Sequence, residues 1–198
     1  MADSLFEDIL GMLGQKGVDE VARKAGTDTQ QTQAASAAAV AALLKGLANN
    51  AGSQQGAADL LEALKRDHWN FDAHQAPAQI QKSDPSLTAN ILGHIFGKKQ
   101  EKVERQLGKA TGVGQGNMGK ILASLAPVVL GMLANRSKQG NVQSGPDLSK
   151  WIGQQTTQMK ESHKDLGFLE SMLASDHDGD VEIGDFAGVI GKFMGGSN

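Results

Sequence analysis

A repeated helical pattern constrains this chain more than any other feature of its sequence. Ile9-Leu10-Gly11, the run from Val21 to Gly26, and Leu47-Ala48-Asn49 return later as Ile91-Leu92-Gly93, Leu107 to Gly112, and Leu133-Ala134-Asn135. Downstream, Leu60-Leu61 through Asp67-His68 is answered by Leu169 through Asp176-His177. The offset between Gly26 and Gly112 equals that between Asn49 and Asn135, so the register holds through the middle of the copy. The Asp67-to-Asp176 offset is longer, by roughly the length of a segment around Trp151 that has no counterpart. Repeats of this size are supersecondary units that bury their faces on one another. The expected fold is therefore all-α, a multihelical bundle built from two related helical units.

Helix-period apolar spacing dominates, and no strand alternation stands out. Leu5, Phe6, Ile9, Leu10 and Leu13 form the first stripe, with Gly14 and Gly17 as stop signals, and a short helix follows from Val18 to Ala25. Asp28 with Gln31 marks the start of a long Ala-rich helix to about Asn50. The expected organisation is a first helical repeat over 1–66 and an irregular loop with His68, Trp69, Phe71, His74 and Pro77 over 67–84. A second repeat covers 85–136, a linker 137–146, and C-terminal helices with an Asp-rich loop 147–198. All of this belongs to one compact domain. Pro127 predicts a kink in the helix from Gln115 to Asn135. The last two helices are expected at about Leu166 to Ala174 and Ile183 to Met194.

Composition narrows the function classes. Aromatic residues are 4% of the chain and Tyr is absent, so the core must be Leu, Ile, Val and Met with close-packed Ala and Gly. Cysteine is absent, which excludes disulfides, thiol catalysis and Cys-ligated metals. The net charge of −3 gives no bulk attraction to nucleic acid or anionic membrane. The acidic N-terminus lacks a basic leader, and the apolar run Ile121 to Ala134 is too short to span a bilayer. The expected setting is cytoplasmic, with no membrane span and nucleic acid disfavoured as a partner.

One loop carries candidate inorganic chemistry. Asp176, Asp178 and Asp180 stand at the first, third and fifth positions of a loop, where carboxylates converge on a hard cation, with Glu182 and Asp185 following. Calcium is the ion this pattern fits. Val181 replaces the glycine of the sharp turn and Ala187 the bidentate Glu at position twelve, so the expected site is weak. The structural alternative is three aspartates favouring the dipole of the last helix.

Ile91 to Gly97, the run Leu125-Ala126-Pro127, the Gly/Ala-rich repeats and this Asp-rich loop together resemble a bacterial family numbered 937 among domains of unknown function, with YidB-like relatives. The resemblance covers most of residues 5 to 195. It implies a small all-helical bacterial protein with no established enzymatic activity. It also implies an Asp-x-Asp-Gly-Asp-Gly loop, from which Val181 departs.

Two other classes are weighed against this. The segment Val21 to Thr32 resembles a helix-turn-helix, with Asp28 to Leu44 as recognition helix, but Gln33 to Leu44 holds no basic residue. The basic face of Lys98, Lys99, Lys102, Arg105 and Lys109 is diluted by Glu101 and Glu104. An enzyme would need an unrecognised site around His68, Asp72 and His74, which follow no ligand spacing, while His94 reads as a buried helix residue. Gly93 with Gly97, and Gly184 with Gly188, are spaced for close helix approach. Trp69, Phe71 or Trp151, if exposed, would anchor a protein contact. The reading is a non-enzymatic protein acting through protein contacts or self-association, with a weak calcium loop as its one cofactor site.

Overall fold

The computed structural model describes residues 4–83 and 85–164. Among them the chain is helical with no strand. Helix α1 spans Leu5–Ala25, α2 Thr29–Asn50 and α3 Gln54–Ala63, and a π-helical turn, Leu64–His68, prolongs α3. A 3-10 turn, Ala73–Gln75, leads into α4, Ala76–Lys82. Then come α5, Pro85–Phe96, a second 3-10 turn, Gly97–Lys99, and α6, Gln100–Thr111. Last are α7, Gln115–Gln139, and α8, Gly145–Ser162.

Polar side chains set the starts of α1, α2, α3 and α8. Ser4 Oγ accepts from the Glu7 amide, Asp28 Oδ1 from that of Gln31 at 3.0 Å, and Ser53 Oγ from that of Gly56 at 3.0 Å. Each satisfies a backbone donor that the first helical turn leaves open, worth about 1 kcal/mol. Ser144 and Asp147 form a reciprocal capping box at α8.

The core is two long helices, α2 and α7, packed on each other. Helix α1 lies against both, while α5 and α6 flank α7 and also reach α2. From Ala34 to Leu44 every residue of α2 is buried. Alanine suits this place because it favours helix and lets neighbours approach on all sides. Gly46 continues the logic: a Cβ there would meet Ile95 Cγ2 at 2.6 Å. Thr32 is buried with its hydroxyl donating to the Asp28 carbonyl at 2.7 Å.

Several expectations are corrected. Gly14, with φ 48° and ψ −168°, breaks α1 into two helical segments; the second begins just after Gly14 and not at Val18, because Gly17 is buried inside it and does not stop the chain. Of the expected irregular loop over 67–84, the described residues 67–83 are largely helical, because the π turn, a 3-10 turn and α4 bury Ala76 and Ile80 in the core. The linker over 137–146 shrinks to residues 140–144: Ser137 is buried, α7 continues to Gln139, and α8 begins at Gly145. Helix α7 runs without interruption through Pro127. Buried neighbours such as Leu125, Val128, Val129 and Leu133 hold it against a cost of about 3 kcal/mol for an interior proline. The segment around Trp151 lacks a repeat partner but not a packing partner, since α8 lies against α3, α2 and α1. Gln155 Oε1 accepts from the Leu5 amide at 2.9 Å. The two last expected helices lie outside the described residues.

Candidate functional site

A trough of about 800 Å³ opens between α3 with its π turn on one side and α5 on the other. Gly56, Asp59, Leu60, Ala63, Arg66 and Asp67 line one wall at helical spacing, so a single face of α3 and the π turn builds it. Ile91, His94 and Ile95 form the opposite wall, and Leu47 of α2 and Leu130 of α7 close the floor. Leu47, Ile95 and Leu130 are buried, whereas Leu60 and Ile91 are half-buried, so the trough is apolar below and polar along its edges. Asn50 fixes one end, its Nδ2 donating to the carbonyls of His94 at 2.9 Å and Ile95 at 3.2 Å. That bond ties the end of α5 to the end of α2, and it satisfies carbonyls that a helix C-terminus leaves open.

The other end is charged. Arg66 Nε and Nη2 donate to Asp67 Oδ1 and Oδ2 at 2.9 and 2.8 Å, a forked pair between sequence neighbours. The hydrogen bonds to Asp67 hold the guanidinium in its charged form, and those from Arg66 hold the Asp67 carboxyl below the usual carboxylate range. His68, next along, is half-buried, and burial pushes its pKa down against the smaller opposing pull of Asp67. A π turn is an infrequent element that recurs at functional positions. Here it sets Arg66, Asp67 and His68 in consecutive positions at the mouth of the trough. The same three residues also border a smaller polar hollow of about 210 Å³ with Trp69, Asn70 and Gln79. Trp69 is half-buried, with Lys65 Nζ 6.0 Å and Lys138 Nζ 5.8 Å from its ring centre, so cations flank it.

The sequence candidates are scattered. Asp72 caps the 3-10 turn, accepting from the His74 amide and Gln75 Nε2, both at 3.0 Å, so its carboxylate is committed to local structure. His74 borders a separate apolar hollow of about 520 Å³ beside Met12 and Pro77, away from the trough that His68 lines. Among the described residues no group of three His, Asp or Glu side chains is placed to hold a metal ion. Asp176, Asp178, Asp180, Glu182 and Asp185 lie outside the described residues, as do Gly184 and Gly188. His94 is exposed on the wall of the trough, not buried, because it sits on the outward side of α5. Gly93 is exposed and Gly97 takes φ 55°, so neither serves as a close helix contact; Gly46 of α2 against Ile95 and Phe96, and Gly145 of α8 against the Ala57–Ala58 backbone of α3, do. Trp69, Phe71 and Trp151 are all half-buried and packed against the core.

The helix-turn-helix alternative meets a geometric obstacle. A recognition helix must lie in a groove with an exposed face. Here α2 is enclosed from Ala34 to Leu44, leaving Gln30, Gln31 and Gln33 as the exposed residues at its start. Helix α7 needs a correction of another kind. The apolar run alone is short, but the whole 25-residue helix is long and apolar enough to cross a membrane by length and composition, and 72% of its most apolar window is buried within the fold.

Sequence reasoning missed Arg66 and the trough. The signal was the spacing of Gly56, Asp59, Leu60, Ala63 and Arg66, a face mixing small, apolar and charged residues that no uniform core stripe would show.

Fold and site together define an all-helical bundle with an amphipathic trough on its surface. The sequence pattern of the family described as "Bacterial protein of unknown function (DUF937)" matches residues 7–136, and the chain belongs to that family. The match stops within α7, so α8 and the Asp-rich loop lie beyond it, and the resemblance read over residues 5 to 195 is narrower than expected. No curated protein and no solved structure matches the chain.

Proposed function

We propose that the protein is a non-enzymatic binding module that works by contact, holding apolar side chains of a protein partner, or of a second copy of itself, in the trough. The trough's half-buried Leu60 and Ile91 over a buried apolar floor support this reading. Covering such surface gains about 25 cal/mol per Å², and hollows of this size and lining are the usual form of a binding site. Self-association is tested by sedimentation of the wild type and Ile91→Arg over a concentration series. The wild type should gain mass with concentration, and the variant, with a charge on the wall, should stay a single chain. Single-chain mass for both throughout would remove self-association from the reading.

Two parts of the reading rest on sequence. The chain is a duplication in which each unit is a helix, a positive-φ glycine, a second helical segment, a left-handed glycine and a long buried helix. Gly14 and Gly97, Gly26 and Gly112, and α2 and α7 support that pairing. Asp176, Asp178, Asp180, Glu182 and Asp185 form a weak calcium loop in a cytoplasmic protein.

A further inference from the structure

We infer that the trough is a binding site for an unbranched alkyl carboxylate, with the carboxylate seated on the open edge of Arg66 and the chain lying along α3. Asp67 grips Arg66 from the side, through Nε and Nη2. A guanidinium has five donors in a rigid fork, so this pair leaves the end-on edge, Nη1 with the outer hydrogen of Nη2. Among the described residues no other hydrogen bond reaches that edge. It has the spacing for a second two-bond carboxylate contact. His68 lines the same trough and offers a further hydrogen-bonding group, and burial favours its uncharged form.

The remainder of the trough fits a chain, not a compact ring. It follows α3 from Gly56 to Arg66, about 15 Å at the helical rise. Ala63 keeps the wall low one turn before Arg66, and Ile91 and Ile95 line the opposite wall with apolar surface. An alcohol would leave half of the open edge unused. The site shares the trough with the contact reading but does not depend on a protein partner, because the ligand binds the chain alone.

Calorimetric titration of the full chain with hexanoate, octanoate and decanoate, each below its micelle concentration, tests the assignment. Saturable binding at one site should tighten about fourfold per added methylene. Octanol should bind at least tenfold more weakly than octanoate, as loss of charge-assisted hydrogen bonds requires. Arg66→Gln, at an exposed position, should weaken octanoate about tenfold and leave octanol unchanged, and Ala63→Phe should block both. Equal affinity for octanoate and octanol would overturn the proposal, as would an Arg66→Gln variant that binds octanoate like the wild type. An N-acetylated tri-leucine peptide with a free carboxylate that binds tighter than decanoate would assign the edge to a protein chain end and overturn the alkyl ligand. Sedimentation of Ile91→Arg, made without ligand, reports on the contact reading separately.

Discussion

The ring of Phe71 lies on the backbone of Gly131, so that a Cβ on that glycine would stand 2.6 Å or less from three ring carbons. Asn135 Nδ2, one turn further along α7, donates to the Phe71 carbonyl at 3.3 Å and holds the segment in place. This contact pins the chain between the π turn and α4 to the central helix. Gly131→Ala should therefore cost about 1–3 kcal/mol by overpacking, read as a lower midpoint in chemical denaturation. Phe71→Ala removes the obstructing ring. The double variant should lose less than the two single losses added, since the residues touch. A fully additive pair would show that the ring and the glycine are energetically independent.

Gly26 and Gly112 hold the same left-handed backbone, φ 76° and 77°, each closing a helix before a long buried one. An L side chain resists that conformation, so Gly26→Ala and Gly112→Ala should each lose about 1 kcal/mol. Gly93→Ala is the contrasting case. It is exposed inside α5, with Gln100 Oε1 3.9 Å from an added Cβ, and alanine is the better helix former. It should gain about 0.5–1 kcal/mol. Urea midpoints for the three variants check the signs, and a stabilised Gly26→Ala would contradict the left-handed cap.

The helices were legible where caps and stripes agreed. Asp28 begins α2 as the capping rules require, α2 ends at Asn50 as its pattern predicts, and α5 starts at Pro85 where the second repeat was expected, whereas the Ser144 cap of α8 lay hidden in the expected linker. The segment after His68 was illegible because its order comes from tertiary packing. Phe71 on Gly131 and Ala76 and Ile80 in the core are contacts that no local pattern announces. His94 was misread because an apolar helix was taken as buried on all sides, whereas α5 has a wall open to the trough. The trough itself joins residues from four helices, so only its α3 face had a sequence signature.

His68 gives the fold a pH dependence with a definite sign. Burial holds its folded pKa below the ordinary value of about 6.5. On acidification the unfolded chain takes up this proton first. The stabilisation is therefore complete above about pH 6.5 and is lost as pH falls from there through the folded value. His68→Gln removes the titration, so its melting temperature should fall less steeply than that of the wild type between about pH 7 and about pH 5. Parallel curves would mean that His68 does not titrate differently on unfolding.

The calcium reading is tested by comparing the melting temperature in calcium and in chelator. In the proposed loop, Asp176, Asp178 and Asp180 at alternate positions would supply convergent oxygens, while Val181 and Ala187 stand where the turn glycine and the bidentate ligand would be. Such a site belongs with the weaker calcium loops, with dissociation constants of about 0.1–1 mM. At about 10 mM calcium the ion stands at roughly ten to a hundred times that constant, so binding to the folded state adds about 1.4–2.7 kcal/mol. For a chain of this length each kcal/mol raises the melting temperature by about 2–4 °C. The expected rise is several degrees in the wild type and none in Asp178→Ala, with magnesium a poor substitute because it holds its waters more tightly. An equal rise in Asp178→Ala would place the effect elsewhere on the chain, and no rise in the wild type would leave the aspartates a purely structural role at the last helix.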